Sequence, residues 1–421
     1  MPEGAPGAAP SNQPTPARIV FHAGELRRVA LAFSAFFLIL CSYTILRPVR
    51  DTMAVQFGAG KLQWLFSATL VFTLLVVPVF GWIVRTVPRN HVLPLVYGFL
   101  VSNLSGFYFA FGNGASIATA ATFFVWLSVF NLFVVSLFWS RLGDCFSTAE
   151  SHRLYGYIAA GGTVGALAGP AITALLATRI GTAQLLALSM LLLAAAAACM
   201  MALPHRQGAA GVAAPPVGGS ILAGIPLTMK LGTLRNIALL VLCYSTVSTV
   251  LYVELVALVG DAFQTQDERT RFFASVDLAV NSLALTLQVL GTRKVVHRYG
   301  MRATLSTVPL LLIAGLGMLG AWRSMIGFAL VQTLHRAGEY ALNKPGREMI
   351  YTTVDPESRY KAKNFIDTAI YRTGDAASAW LIAAVRAAGF DVVLAVGLPA
   401  AALWLLAGFR LGGRHDRHEA A

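Results

Sequence analysis

Charge is what this sequence has least of. Only 12% of its 421 residues are charged, against 57% that are hydrophobic, and soluble domains carry about twice that share of charge. A chain so poor in charge cannot cover a water-facing surface, which excludes a soluble enzyme. Cysteine is scarce as well. Cys41, Cys145, Cys199 and Cys243 stand far apart, with no CxxC pair and no clustered histidines. That excludes a disulfide framework and leaves no zinc or iron–sulfur spacing, so no cofactor is expected. Acidic residues are outnumbered, 19 against 32 Lys and Arg, for a net charge of +13. The basic residues sit in short connections and are not interleaved with aromatics, so a nucleic-acid partner is not expected. Residues 1–28 are rich in Pro, Ala and Gly and lack an apolar core. Residues 1–26 are therefore expected to form a disordered cytoplasmic tail and not a cleaved signal peptide.

What is present is a succession of apolar blocks between Val29 and Phe409, each of about 18 residues or more and so long enough to span a bilayer. Twelve spans are predicted, at 27–52, 63–84, 92–112, 116–138, 155–178, 182–203, 236–258, 272–292, 301–320, 323–340, 364–386 and 389–409. Lys and Arg concentrate in the connections on the side of the N-terminus, so both termini are expected in the cytoplasm. The connection 204–235 is dense in Pro and Gly and divides the chain into bundles at 27–203 and 236–409, with a tail at 410–421. Six spans, a cytoplasmic linker and six spans is the layout of the major facilitator superfamily, whose halves are related by an axis along the membrane normal. The fold class expected is all-α, in a 6+6 arrangement, as a monomer among membrane lipids.

Charges inside such a bundle are costly enough to mark candidate sites. Tyr43, Arg47 and Arg50 share one face at the end of span 1, with Asp51 one turn beyond Arg47. Two readings are open: a solvent-facing helix end, or a helix continuing to about residue 55 that turns both arginines into a central cavity. In the second reading the guanidinium forks suit phosphate or carboxylate. Between spans 4 and 5, Arg141, Asp144, Glu150 and Arg153 form either a gating cluster or a capped, salt-bridged turn. Gly161, Gly165 and Gly169 repeat every fourth residue, a stripe expected to serve close helix packing. GGTVG at 161–165 has neither the lysine nor the strand of a nucleotide P-loop. In the second half Glu254 and Asp277 are each a proton site or an internal counter-ion, and the counter-ion reading is preferred for Asp277. His335, Arg336 and Glu339 add a polar strip in span 10. Arg347, Glu348, Lys361 and Lys363 lie in the following basic connection. In span 11, Asp375 is expected to neutralise Arg372, with Asp367 pairing across the bundle to Arg347, Lys361 or Lys363 when the cavity is closed inward.

Three segments carry a family resemblance. YTILRPVRDTMAV at 43–55, FWSRLGDCFSTAESHRLYGYIAAGG at 138–162 and KPGREMIYTTVDPESRYKAKNFIDTAIYRTGDAASA at 344–379 resemble the ATP/ADP antiporter family and its relatives in free-living bacteria. The resemblance implies a major-facilitator-like fold and exchange of nucleotides, with basic residues meeting the phosphates. It singles out Arg47, Arg50 and Asp51, then Glu150, Arg153 and Tyr155, then Arg347, Glu348, Lys361, Lys363, Asp367 and Arg372. The family's first motif commonly has lysine where this chain has Arg50, and this chain is shorter than the usual exchangers.

The function expected is therefore secondary transport of an organic anion, a nucleotide among them, by alternating access. Tyr43, Arg47, Arg50, Lys361, Lys363 and Arg372 are the expected substrate contacts. Asp51, Asp144, Glu150, Arg153, Glu254, Asp277, Arg347, Glu348, Asp367 and Asp375 are the expected gating or charge-pairing groups. A proton-coupled carrier of a cell-wall fragment or lipid-linked metabolite is the alternative within transport. A non-transporting scaffold is the alternative outside it. No enzymatic activity is expected.

Overall fold

The computed structural model describes residues 24–204 and 224–419, and every regular element among them is helical. In hydrocarbon no water can satisfy the backbone, so each span must close its own hydrogen bonds, which is why Val- and Ile-rich segments are helical here. The first half contains α1 (Glu25–Phe57), α2 (Leu62–Thr86), α3 (Arg89–Gly112), α4 (Ile117–Cys145), α5 (Thr148–Ile180) and α6 (Thr182–Met201). After a short α7 (Gly224–Lys230) come α8 (Gly232–Ala262), α9 (Gln266–Leu287) and α10 (Arg293–Ala321). Then follow α11 (Met325–Gly338), α12 (Lys344–Tyr351), α13 (Pro356–Asn364), α14 (Tyr371–Ala387) and α15 (Leu398–Glu419). Wide π turns at Glu339–Asn343 and Phe365–Ile370 join α11 to α12 and α13 to α14.

Ten helices among the described residues are long and apolar enough to cross a membrane. The runs 325–351 and 356–387 are also long, but their buried charges keep them below that apolarity. Large side chains such as Leu191, Leu310, Leu330 and Trp322 face outward, each more than half exposed, as a lipid-facing surface requires.

Helix ends follow local chemistry. Ser147 and Glu150 form a capping box at the start of α5, and Thr265 with Glu268 forms another at the start of α9. Gly181 separates α5 from α6 with φ 86°, and Gly300 breaks α10 with φ 77°, both in the left-handed region where glycine carries no Cβ penalty. Asp416 of α15 satisfies the amides freed at that break, accepting from Met301 at 2.8 Å and Arg302 at 3.1 Å. The helix thus runs on through the segment expected as a C-terminal tail. Residues 1–23 and the Pro/Gly-dense part of the linker at 205–223 lie outside the described residues, while the rest of the expected linker is α7 and the first turn of α8.

Two apolar cores result. One joins α1 with α3–α6, and the other joins α8–α15 with the end of α1 and the start of α2. Lipid tails are as apolar as leucine, so packing inside the bundle depends on close contact. Gly161 and Gly165 lie against the carbonyls of Phe33 and Phe37, Gly162 against the Phe36 ring, and Gly169 against the Thr44 hydroxyl. A Cβ at any of the four collides with α1, so the glycine stripe is a packing seam.

The two halves meet through contacts running from mid-bundle to the end where α1 finishes, called here the far end. Gln266 donates to Gln56 at 3.0 Å, Thr52 and Thr270 share a bond of 2.8 Å, and Thr182 donates its amide to Asp267 at 2.7 Å. Trp380 donates to Ser67 at 3.0 Å and packs edge-on against Trp64. Asn281 reaches the Ala166 carbonyl at mid-depth, 2.7 Å away. At the opposite, near end, the ion pairs among the described residues stay within one half: Arg28–Glu150 at 2.6 Å and Arg153–Glu25 in the first, Lys363–Glu348 at 2.6 Å in the second.

Candidate functional site

A cavity of about 230 Å³ lies between the halves at mid-depth. From the first half come Tyr43, Arg47, Arg50 and Asp51 of α1, Phe66 and Thr69 of α2, and Phe124 and Ser128 of α4. From the second come Tyr244, Ser248, Thr249 and Tyr252 of α8, Gln332 and Arg336 of α11, Tyr340, and Tyr371, Arg372 and Asp375 of α14. Of the two readings open for span 1, the continuing helix is the one observed. α1 extends to Phe57, with Pro48 inside it, and the Tyr43–Arg47–Arg50 face turns inward.

Each arginine is held in place but not saturated. Arg50 donates to Asp51 through Nη2 at 2.7 Å and Nε at 3.1 Å, and lies over the Phe124 ring at 5.1 Å. Tyr252 donates to the same carboxylate from the opposite half at 3.0 Å. Arg47 does not pair with Asp51, as its spacing permits. Its Nε lies 3.6 Å from Asp277 on α9, whose other oxygen accepts from Arg336 at 2.6 Å. Arg372 lies 3.5 Å from Asp375 and donates to the Ser128 carbonyl at 3.3 Å, while Ser245 donates to Asp375 at 2.6 Å. Four guanidinium groups thus face three carboxylates. The excess is one positive charge in a space that water cannot fully screen. Arg47 Nε and Arg336 Nε and Nη2 are buried without a partner of hydrogen-bonding geometry.

The remaining sequence-expected residues lie elsewhere. Glu254 sits at the far end, inside the second half, between Arg323 and Arg386. Glu150 and Arg153 pair with the start of α1, the capped-turn arrangement, and Asp144 lies at the same near end. Arg347 meets the buried Glu339 at 3.1 Å. Lys363, expected at the substrate, is instead 2.6 Å from Glu348 at the near-end rim, because two helix turns separate it from the cavity-lining Tyr371. The side chain of Lys361 lies outside the described residues. Asp367 is exposed on its π turn and has no ion pair among the described residues; the pairing expected for it belongs to a cavity closed at the near end. The four cysteines are free and separate, and no metal-holding cluster occurs among the described residues.

Sequence reasoning left Arg336 out of the site, although it noted the strip containing it. A lone arginine inside a span gives no sign of which face it occupies. Tyr252 and Ser128 were missed because hydroxyls in apolar helices carry no distinct spacing.

No protein-family model matches the chain, and no curated protein matches it by sequence. Its fold does match solved structures. A structure of the nucleoside transporter NupG superposes with TM-score 0.62 at 13% identity, covering 92% of this chain and 96% of that one. The human organic anion transporter MFSD10 (TETRAN) superposes with TM-score 0.58 at 18% identity, covering 93% of this chain and 100% of that one. A D-xylose–proton symporter gives TM-score 0.61 at 12% identity, with 92% and 97% covered. The chain is an all-α, multi-span membrane protein with a major-facilitator-like fold.

Proposed function

We propose that this protein is a secondary transporter that carries a small organic anion by alternating access, with twelve spans in two six-helix halves and the anion seated in the central cavity. The observation that supports it most is the charge arrangement: arginines from both halves converge with one positive charge in excess. A guanidinium offers planar paired donors to carboxylate or phosphate. An anion bound between Arg47 and Arg50 on one side and Arg336 and Arg372 on the other favours the halves' approach. That gives the differential contact any ligand-driven change requires. Contacts concentrated toward the far end fit a state open at the near end. The solved nucleoside and organic-anion transporters with this fold support the substrate class, and the resemblance of residues 43–55, 138–162 and 344–379 to ATP/ADP antiporters makes ADP the first probe. Both termini face the cytoplasm of a bacterial inner membrane in this reading.

The test is uptake into proteoliposomes containing the purified protein, screened across labelled ADP, ATP and simple organic anions. Saturable uptake of at least one anion, lost in Arg47→Gln, is expected. Uptake of none, or equal uptake by that variant, removes the anion reading and favours a scaffold role. Single cysteines at Ser11 and Ser220, in a cysteine-free background, are expected to resist an impermeant thiol reagent in intact cells.

A further inference from the structure

A separate cavity of about 510 Å³ lies between α10 and α15 at the near end, and its lining shares no residue with the central one. The two helices press together there because Gly408 and Gly412 of α15 admit the backbone of Leu305 and Arg302. Gly413 beside them leaves space for the Arg302 guanidinium, and its carbonyl accepts from Arg417 Nε at 3.0 Å. Both arginines therefore meet at one residue of the wall. Arg302 also lies over the Phe409 ring, 4.5 Å from its centre. Neither guanidinium forms an ion pair among the described residues. The carboxylate in the lining, Asp416, is committed to the amides of Met301 and Arg302 at the Gly300 break. The wall thus carries one positive charge in excess. Ser306 adds a buried hydroxyl with no hydrogen-bond partner, whereas Thr304 and Thr307 beside it turn back to carbonyls of their own helix at 2.8 Å.

The cavity sits where two apolar spans end. The apolar stretch of α10 begins at Arg298, and on α15 the exposed Phe409 is followed by Arg410, Arg414 and Arg417. Tyr299, also in the lining, is 63% exposed. Aromatic rings and arginines at such a boundary stand at the level of lipid headgroups. Toward mid-bilayer the same two helix faces turn apolar. Leu310 continues the Ala303–Ser306 stripe of α10, and Leu406 lies one turn before Phe409 on α15; each is more than half exposed. A small anion in water meets the arginines and leaves those leucines uncovered. A phospholipid matches both.

We propose that this cavity binds the headgroup of an anionic phospholipid in the near-end leaflet, with its phosphodiester between Arg302 and Arg417 and its acyl chains along Leu310 and Leu406. A phosphodiester carries one negative charge, which matches the excess on the wall, and it accepts the paired donors of a guanidinium. A phosphatidylcholine headgroup brings an ammonium along with its phosphate and is neutral overall, so a wall of net positive charge favours it less. Phosphatidylglycerol, whose headgroup has hydroxyls and no ammonium, is the matching class. The bound lipid bridges α10 and α15 beside the Gly300 break. The proposal needs only a membrane-spanning chain and stands apart from the anion reading of the central cavity.

The test is native mass spectrometry of the purified full chain in detergent, titrated with phosphatidylglycerol or with phosphatidylcholine of the same acyl chains. The native chain is expected to retain phosphatidylglycerol preferentially. An arginine beside an anionic headgroup contributes about fivefold in binding, so Arg302→Gln with Arg417→Gln is expected to weaken phosphatidylglycerol about 25-fold and to change phosphatidylcholine little. Arg179→Gln, at an exposed position at the far end of α5, controls for lost charge and is expected to bind as the native chain does. Equal retention of the two lipids by the native chain, undiminished phosphatidylglycerol binding in the double variant, or the same loss in Arg179→Gln overturns the proposal. Where the double variant does not fold, Arg417→Gln alone decides, since that side chain bonds only a carbonyl of its own helix. A loss of about fivefold then supports the site, and native binding removes it. Displacement of the lipid by inorganic phosphate at equal concentration assigns the cavity to a soluble anion and overturns the lipid.

Discussion

Asp277 and Arg336 pair at 2.6 Å with both side chains nearly excluded from solvent, and Arg47 approaches the same carboxylate from the other half at 3.6 Å. One aspartate therefore serves two arginines, on helices of different halves. Stranding a buried charge by removing its partner costs about 3–5 kcal/mol, far more than the intact pair contributes. Asp277→Asn is expected to lower the melting temperature in detergent sharply. Adding Arg336→Gln to it is expected to recover part of the loss. Simple additivity of the two changes would refute the shared counter-ion.

Arg47→Gln and Arg50→Gln are expected to weaken anion binding while the protein still inserts. A charged hydrogen bond lost in such a site is worth about 1.5–3 kcal/mol, roughly 10- to 150-fold in affinity. Arg50→Lys keeps the charge but loses the two-point hold on Asp51, so it is expected to recover only part. Binding of labelled anion to purified variants measures this, and native affinity in both Gln variants assigns these arginines to structure alone.

Arg372 and Asp375 are expected to behave as a pair. Arg372→Ala removes the paired arginine from Asp375 and leaves the Ser245 hydroxyl as its hydrogen-bond donor, so the single change is expected to be more damaging than Arg372→Ala with Asp375→Ala. Thermal stability and transport rate of the three variants are the readouts. Independent effects would dissolve the pairing.

The glycine seam gives a prediction about packing. Gly165→Ala puts a methyl into the Phe37 carbonyl, a collision with backbone that no rotamer relieves. It is expected to destabilise by about 1–3 kcal/mol or more. Gly156→Ala, nine residues earlier on the same helix and with open space around it, is expected to leave the melting temperature nearly unchanged. Equal effects at the two positions would remove the seam from the account of α1–α5 packing.

Closure at the far end is testable by cross-linking. Gln56 and Gln266 meet at 3.0 Å across the halves, so Gln56→Cys with Gln266→Cys is expected to oxidise readily in a cysteine-free background. The cross-linked protein is expected to stop transporting and to resume on reduction. Undiminished transport by the cross-linked form would mean that the far end does not open in the cycle.

The helices themselves were legible because the bilayer demands length and apolarity, and both are counted directly from the chain. The predicted span 116–138 ended too early for the same reason. Trp139, Arg141 and Asp144 lowered its apolarity, yet α4 runs on to Cys145 because Arg141 donates to the Leu203 carbonyl at 2.8 Å. Runs 325–351 and 356–387 carry buried charges that resemble loop chemistry in the sequence, and only their partners on other helices place them inside the bundle. Lys363 illustrates the converse: its charge suggested a substrate contact, but a neighbouring glutamate takes it.

Composition and spacing alone determined that this chain is a helical membrane protein, that Tyr43, Arg47 and Arg50 share a face, and that Gly161, Gly165 and Gly169 form a seam. Each follows from local rules, a 1.5 Å rise and 3.6 residues per turn, acting on one helix at a time. Which carboxylate answers which arginine was decided only by the tertiary structure. Asp51 is four residues from Arg47 yet holds Arg50 and Tyr252, while Arg47 turns to Asp277, 230 positions away in the chain. Helical spacing brings several partners within reach, and the choice among them depends on where another helix places its charge.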